Sequence, residues 1–183
     1  MKRYLLLIMA MLVSCSNNTT TTNLQHLLGQ QIVLPTDNGQ WKILNRDTTI
    51  AVDNCRPKIT VYYNAQGCTS CRLKELVSWN NLINDVQNMP KSDTSNVEFV
   101  FLFSVGENAN SLALTLKQYQ FSIPVLFDIQ NSFEKVNIIP NDEKFHYFLL
   151  DKNNKIQLVG NPINNPAMWK LYKKRIAELN ERS

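Results

Sequence analysis

Residues 59–76 read Ile59-Thr-Val-Tyr-Tyr-Asn-Ala-Gln-Gly-Cys-Thr-Ser-Cys-Arg-Leu-Lys-Glu-Leu76, and two structural patterns follow one another within them. The first is rich in β-branched and aromatic residues, which predicts a strand over Lys58–Tyr63. After a glycine, apolar residues recur at the spacing of a helix, which predicts a helix over Cys68–Asn88. Two cysteines, Cys68 and Cys71, therefore lie where the strand gives way to the helix.

The place of these two cysteines at a helix start favours redox chemistry. The unpaired backbone N–H groups and the positive dipole end of a helix N-terminus stabilise a thiolate, so the sequence predicts that Cys68 is a nucleophile with a depressed pKa. Cys71 lies one turn further on, close enough to form a disulfide with Cys68. Cys68 and Cys71 are therefore the candidate catalytic residues, and no cofactor is expected.

Two other interpretations of the pair stay open. A zinc site needs about four ligands, and the other candidates are single, widely separated residues, namely Cys55, His26 and His146. A structural disulfide is the stronger alternative, although a bond that closes a single turn constrains the unfolded chain very little. We interpret Cys55 as a buried and inert thiol, because the strand Lys58–Tyr63 separates it from Cys68 by roughly 20 Å.

The N-terminal residues have the pattern of an export signal. Residues 1–14 combine a basic start with an apolar segment, Tyr4–Val13, that is shorter than the roughly 20 residues of a membrane-spanning helix. This pattern predicts a lipoprotein signal peptide over 1–14, because Leu12-Val13-Ser14-Cys15 resembles the bacterial lipobox. The resemblance implies cleavage before Cys15 and lipid on its sulfur, with the protein lipid-anchored in the bacterial cell envelope and facing the periplasm. The alternative is an ordinary signal peptide with an incidental cysteine.

The rest of the chain divides into a short tether and one domain. Residues 15–24 are rich in Asn and Thr and lack apolar periodicity, which predicts a flexible tether. Residues 25–183 have the length of a single domain with a sizeable core. The formal net charge of +4 is too small and too dispersed to indicate a nucleic-acid partner.

Strands and helices alternate along the domain, which predicts an α/β sheet. Turn residues at 35–39 lie between two short apolar runs, so an N-terminal β-hairpin of Gln31–Leu34 and Gln40–Leu44 is expected. The other expected strands are Val97–Phe103, Val125–Asp128, Tyr147–Leu150 and Lys155–Val159. The other expected helices are Asn108–Tyr119, Ser132–Ile138 and Ala167–Leu179.

The order of these motifs resembles a known family over roughly residues 25–181. A strand, Gly-Cys-x-x-Cys and a helix are similar to the thioredoxin fold, and two further segments are similar to periplasmic TlpA/ResA-type thiol–disulfide oxidoreductases, namely Pro124-Val-Leu-Phe-Asp128 and Phe148-Leu-Leu-Asp151. The resemblance implies a thioredoxin-like fold with a mixed central sheet and helices on both faces. It also implies that Cys68 attacks disulfides of envelope proteins, that Cys71 resolves the mixed disulfide, and that protein thiols and disulfides are the partners.

The sequence departs from that family at three places near the dithiol. Thr69 and Ser70 fill the pair where the family commonly has a proline, so two hydroxyls are available to hydrogen-bond the thiolate. Tyr62 replaces the buried Asp that thioredoxin has six residues before its first cysteine. The family's cis-proline aligns with Phe145, so we expect a trans bond there, with Phe145 or His146 facing the dithiol and narrowing the range of substrates.

A second function, from a different class, fits the same residues. Without a cis-proline the chain could be a binding or assembly lipoprotein that keeps a thioredoxin-like fold and a structural disulfide. The intact Cys-x-x-Cys at a helix start favours the oxidoreductase. The reduction potential of the pair distinguishes the two functions, because structural bonds have potentials below about −300 mV.

Overall fold

The computed structural model describes residues 15–36, 39–43, 46–53, 55–64, 69–88, 97–105 and 109–181. For residues 15–18 and 69–73 it describes the course of the backbone alone. The signal peptide expected over 1–14 and the candidate nucleophile Cys68 lie outside these residues. None of the described helices is long and apolar enough to cross a membrane.

The described strands form one mixed sheet of seven strands, and this confirms the predicted sheet class. They are β1 Gln40–Ile43, β2 Arg46–Thr48, β3 Lys58–Tyr63, β4 Glu98–Ser104, β5 Val125–Asp128, β6 Tyr147–Leu150 and β7 Ile156–Val159. Their order in the sheet is β2-β1-β5-β4-β3-β6-β7. β3, β4 and β5 run parallel, and the other neighbours pair antiparallel. All six residues of β3 are buried, because layers of structure cover both of its faces.

Helices cover both faces of the sheet. They are α1 Cys15–Leu27, α2 Thr69–Gln87, α3 Ala109–Gln118, α4 Ser132–Val136 and α5 Pro166–Glu181, with a 3-10 turn at Glu143–Phe145. α2, α3 and α5 pack on one face around Trp79, Leu112 and Tyr172. α1 and α4 pack on the other face around Leu27 and Phe133. α2 connects β3 to β4, and α3 connects β4 to β5, so both connections move across the sheet in the same direction. Because crossover connections between parallel strands are right-handed, the two helices lie on the same face of the sheet.

Asp128 ends β5 and determines where α4 begins. Its buried carboxylate accepts hydrogen bonds from the backbone N–H and the hydroxyl of Ser132, at 2.9 and 2.7 Å, and from the backbone N–H of Phe133, at 2.8 Å. The N–H groups are ones that a helix N-terminus otherwise leaves unpaired. The Pro-Val-Leu-Phe-Asp segment therefore contains the buried strand β5, whose last residue, Asp128, hydrogen-bonds the N-terminus of the next helix, α4.

An N-terminal hairpin is present, but it is not the one expected from Gln31–Leu34 and Gln40–Leu44, because the partner of β1 is the unexpected strand β2. β1 pairs with β2, whereas residues 31–34 form no strand beyond one bridge at Gln31. The Asn137 side chain holds the backbone of Val33 instead: its Oδ1 accepts from the Val33 N–H and its Nδ2 donates to the Val33 carbonyl oxygen, both at 2.9 Å. The backbone of Val33 thus bonds to a side chain 104 residues away and not to a neighbouring strand. The pattern of apolar residues along the sequence cannot predict such a contact.

The segment 15–24, for which the sequence predicts a flexible tether, is helical in the structure and forms most of α1. The side chains of residues 19–22 are exposed, whereas Leu24 is half-buried and Leu27 is buried against the sheet. Two leucines on one helix face therefore give α1 a packed side, and the polar residues before them continue the same helix. The division into tether and domain stays a prediction.

α2 begins and ends within one residue of the predicted helix. The helical spacing of apolar residues in the sequence puts Leu76, Val77, Ile83 and Val86 on one face of this helix. Leu76, Ile83 and Val86 are buried, but Val77 is 45% exposed, and the wholly buried residue beside Leu76 is Trp79. The buried face of the helix is therefore formed by Leu76, Trp79 and Ile83, at positions i, i+3 and i+7. The bulk of the indole ring, and not the neighbouring valine, fills the space between α2 and the sheet.

Candidate active site

We call the end of the sheet where β3 ends at Tyr63 and β6 begins at Tyr147 the dithiol edge. α2 also begins at this edge, because it connects the end of β3 to the start of the parallel strand β4. The carboxyl ends of parallel strands are the usual place for a functional site in an α/β sheet. Cys71 lies in the first turn of α2, and hence at the dithiol edge.

The other predicted residues of the Cys-x-x-Cys segment are described only in part. Thr69 and Ser70 are the first two residues of α2, so the described helix begins directly after Cys68. Cys68 and the side chains of Thr69, Ser70 and Cys71 lie outside the description. Their roles in redox chemistry therefore stay predictions, as does lipid attachment at Cys15, the first residue of α1.

The segment that aligns with the family's cis-proline lies beside the end of β3. The peptide bond before Phe145 is trans, as expected, and so is the bond before Pro124. The carbonyl oxygen of His146 accepts a hydrogen bond from the backbone N–H of Tyr62 at 2.9 Å, which extends the pairing of β3 with β6 by one residue. Phe145 and His146 are both buried. Phe145 belongs to the core on the face of the sheet that α1 and α4 cover, and the His146 ring lies against Tyr62 of the same core, so both side chains pack on the face opposite α2.

The imidazole of His146 is held by contacts on two sides. Its Nε2 lies 2.9 Å from the carbonyl oxygen of Pro140, and because a carbonyl oxygen can only accept, Nε2 carries a proton. The centroid of its ring is 5.1 Å from that of Tyr62, which in turn packs 4.6 Å from the ring of Phe133. His146 therefore belongs to a packed aromatic cluster beneath the dithiol edge.

Tyr62 is a neutral group at the position of thioredoxin's buried Asp. Burial raises the pKa of its phenol well above the usual value, and the nearby carboxylate of Glu134 raises it further. An ordinary phenol already keeps its proton at physiological pH, and the raised pKa extends this to alkaline pH. β3 consequently supplies no ionised base at this position.

A carboxylate reaches the dithiol edge from α2 instead. Oε1 of Glu75 accepts hydrogen bonds from the hydroxyl of Tyr147 at 2.8 Å and from the side-chain amide of Asn161 at 2.7 Å. After burial, the same carboxylate is the next largest cause of the raised pKa of Tyr63. Glu75 lies four residues after Cys71, so the two are neighbours on the helix surface. Glu75 is not among the residues predicted from the sequence, although this spacing is visible there.

Cys55 lies at the opposite edge of the sheet, where β3 begins. The expected burial of this cysteine is wrong, because Cys55 is exposed and forms no disulfide within the described part of the chain. Its backbone N–H donates a hydrogen bond to Oδ1 of Asp53 at 2.7 Å. A turn of this kind, in which an Asp side chain accepts a hydrogen bond from the backbone, usually lies at the protein surface. Cys55 is exposed because it belongs to this turn and not to the buried strand that follows.

Lys58, the first residue of β3, is a buried cation at this opposite edge. Its side chain is fully buried, and its Nζ donates a hydrogen bond to the carbonyl oxygen of Arg56 at 3.1 Å. Desolvation lowers the pKa of Lys58, although the carboxylates of Glu98 and Asp53 act in the opposite direction. The folded protein therefore binds this proton less tightly than the unfolded chain does.

Replacing Lys58 by methionine should remove a rise in stability with pH. The pKa of Lys58 is lowered from 10.5 on folding, so the stability of the wild type increases as pH rises through the lowered pKa toward that of the unfolded chain. Urea unfolding at about pH 7 and about pH 9.5 measures the effect. Between the lower and the higher pH, the free energy of unfolding of the wild type should rise relative to that of Lys58→Met. Lys152→Met, at an exposed lysine of the same edge, should keep the same difference from the wild type at both pH values. An equal difference between the wild type and Lys58→Met at both pH values would contradict the lowered pKa.

The residues considered as zinc ligands do not converge. His146 lies at the dithiol edge, Cys55 at the opposite edge, and His26 is exposed near the end of α1. Within the described ranges, no group of three His, Cys, Asp or Glu side chains could hold a metal ion.

The fold is thioredoxin-like, as comparison with solved structures shows. An uncharacterized thioredoxin-like protein from Porphyromonas gingivalis is 18% identical, with 85% of this chain and 95% of that chain covered and a TM-score of 0.52. The thioredoxin domain of a thiol-disulfide oxidoreductase from Bacteroides vulgatus is 12% identical, with 81% and 97% covered and a TM-score of 0.53. No protein-family model matches the chain, and no curated protein matches it. The expected fold class is confirmed.

Proposed function

We propose that this protein is a membrane-tethered thiol–disulfide oxidoreductase of the bacterial cell envelope that uses Cys68 and Cys71. One observation carries the proposal: in a thioredoxin-like fold, the helix α2, which carries Cys71 in its first described turn, follows the end of the central strand β3, and Cys68 lies between the two in the sequence. The N-terminus of α2 offers unpaired N–H groups and a positive dipole end to a thiolate of this pair. The partners are proteins of the envelope that carry exchangeable thiols or disulfides.

The reaction is a two-step exchange that conserves atoms and electrons. The Cys68 thiolate attacks one sulfur of the partner's disulfide, forms a mixed disulfide and releases the other partner sulfur, which takes up a proton. Cys71 then gives up its proton, attacks the Cys68 sulfur and releases the remaining partner sulfur as a thiol. The partner gains two electrons and the Cys68–Cys71 disulfide forms. The same steps in reverse oxidise a partner dithiol.

Two features of the chain near the dithiol edge bear on this exchange. Glu75, four residues after Cys71, is the carboxylate that would accept the Cys71 proton, since Tyr62 is neutral. Phe145 and His146 replace the family's proline, and we expect them to narrow the range of substrates. Reduction of a generic disulfide protein should accordingly be slower than thioredoxin achieves.

Membrane attachment would come from Cys15. The lipobox-like residues before it support cleavage and lipidation, and several acyl chains on one residue hold a protein firmly at a bilayer. The protein would then face the periplasm from the envelope membrane that carries its lipid. No further cofactor enters this proposal.

The reduction potential of the Cys68/Cys71 couple tests the redox function. Equilibration with glutathione redox buffers, followed by alkylation and intact mass, should give a potential well above about −300 mV, in the range of exchangeable bonds. The Cys55→Ser variant is used so that the exposed Cys55 does not contribute. A potential well below about −300 mV would instead mark a structural bond.

One observation favours the second function, a binding or assembly lipoprotein. The peptide bond before Phe145 is trans, so the segment before β6 lacks the cis-proline geometry of the family. A potential in the structural range, together with failure to exchange with any disulfide, would select this function.

A further inference from the structure

α1 runs along one face of the sheet, and its C-terminal end lies at the edge opposite the dithiol. Leu27 is buried there, and the N–H of Gly29 donates a hydrogen bond to the carbonyl oxygen of Ile156 at 2.8 Å. Ile156 pairs with Leu150, and Leu150 lies opposite Lys58, the first residue of β3. The end of α1 is therefore tied to the edge where β3 begins.

The middle of α1 is tied to the dithiol edge. Nζ of Lys144 donates a hydrogen bond to Oγ1 of Thr20 at 3.2 Å. Lys144 also pairs with Asp142 at 2.7 Å and lies 5.0 Å from the centre of the Phe145 ring. This lysine belongs to the 3-10 turn directly before His146, whose carbonyl oxygen pairs with β3 at the dithiol edge. From Thr20 toward Leu27, α1 therefore runs in the direction from the dithiol edge to the opposite edge.

The start of α1 consequently projects at the same end of the molecule as the dithiol. Cys15 is the first residue of α1, five residues before Thr20, which places it roughly 7 Å further along the helix axis at 1.5 Å per residue. α2, on the other face of the sheet, also begins at the dithiol edge. The two helices that begin with the candidate lipid site and the candidate dithiol therefore both have their N-termini at one end of the sheet.

We propose that α1 holds the dithiol edge toward the membrane, so that the partner is a membrane-bound protein whose cysteines lie close to the bilayer surface. This inference rests on the proposed function, and in particular on lipid at Cys15. Acyl chains on Cys15 enter the bilayer, and the helix, unlike a flexible tether, keeps the direction from the lipid to the sheet constant. A disulfide held near the bilayer surface then meets the dithiol directly, whereas a freely diffusing protein must enter the gap between the edge and the membrane.

The orientation is measurable with two labels on the full-length, lipidated protein in phospholipid vesicles. Both cysteines of the dithiol are changed to serine. A fluorophore is attached either to the native, exposed Cys55 at the opposite edge or, with Cys55→Ser, to Asn141→Cys at an exposed residue beside the dithiol edge. Energy transfer to an acceptor on the lipid headgroups should place the label at 141 nearer the bilayer by roughly 20 Å, the length of a six-residue strand. Equal distances, or a nearer Cys55, would overturn the proposal.

A spacer variant tests the consequence for the partner. About twelve Gly and Ser residues inserted between Thr22 and Asn23 behave as a random coil of roughly 20 Å and uncouple the lipid from the sheet. Exchange with a disulfide peptide anchored close to the vesicle surface should fall about tenfold, because the effective concentration of the two groups falls. Exchange with the same peptide in solution should not fall, because the spacer also releases the dithiol edge from the membrane surface. An unchanged rate with the anchored peptide would refute the orienting role of α1.

The outcomes separate this inference from the proposed function. Intact mass of the membrane-purified protein shows first whether Cys15 carries lipid, and an unmodified Cys15 overturns the anchor and the orientation together. A lipidated protein with an exchangeable dithiol but with equal label distances overturns the orientation alone. A lipidated, oriented protein whose Cys68/Cys71 potential is in the structural range overturns the oxidoreductase and its membrane-bound redox partner.

Discussion

Replacing Cys68 by serine should abolish thiol–disulfide exchange, whereas replacing Cys71 should arrest it halfway. A serine hydroxyl forms no disulfide and is a far weaker nucleophile than a thiolate, so Cys68→Ser should leave only the uncatalysed rate. Cys71→Ser retains the attacking sulfur but has no thiol to resolve the mixed disulfide. We therefore expect this second variant to accumulate a covalent complex with a disulfide peptide, visible by intact mass.

The matched control for these variants is Cys55→Ser. Cys55 is exposed at the opposite edge of the sheet, so its loss should leave the exchange rate unchanged. In this background, alkylation of the reduced protein near neutral pH should modify Cys68 before Cys71. Faster alkylation of Cys71, or a mixed disulfide that forms in Cys68→Ser and not in Cys71→Ser, would reverse the two roles.

Replacing Trp79 by alanine should lower the free energy of unfolding by about 3–5 kcal/mol. Trp79 is wholly buried between α2 and the sheet, with its ring 5.5 Å from that of Phe101 and 6.4 Å from that of Phe99. Truncation removes both edge-on aromatic contacts and leaves a cavity that a packed core closes only in part. Urea unfolding followed by circular dichroism measures the loss.

Val77→Ala on the same helix is the control for Trp79→Ala. Val77 is 45% exposed, so its truncation should cost less than about 0.5 kcal/mol. A similar loss in both variants would mean that the helix faces the sheet with a different side. Because α2 carries Cys71, such a rotation would also change which residues of its first turn face the sheet.

Local patterns predict the described elements from β3 onward well, whereas they do not predict β2. β5 and β6 begin and end at the expected residues, and α2 begins and ends within one residue of its prediction. Continuous apolar runs mark strands that are covered on both faces, and apolar residues at helical spacing mark a helix that packs on one side. The failure at residues 31–34 has the opposite cause, since a side chain from residue 137 satisfies that backbone.

The candidate site is predictable where it depends on neighbours along the chain. A Cys-x-x-Cys after a strand and before a helix indicates redox chemistry, and the lack of proline at 145 predicts the trans bond that the structure has. The contacts of Glu75 with Tyr147 and Asn161, by contrast, join residues far apart in the sequence. No periodicity encodes such contacts, because they form only when α2 packs beside β6.

The amino-acid sequence alone thus determines the order of strands and helices from β3 onward, the helix after β3 that carries Cys71 and the absence of a proline before β6, since each depends on the chemistry of a few consecutive residues. Tertiary structure alone decides that Trp79 is buried while Val77 is not, that Cys55 is exposed, and that α1 runs in the direction from the dithiol edge to the opposite edge. Each of these depends on which distant surfaces meet when the sheet assembles, and on how much volume each side chain fills there.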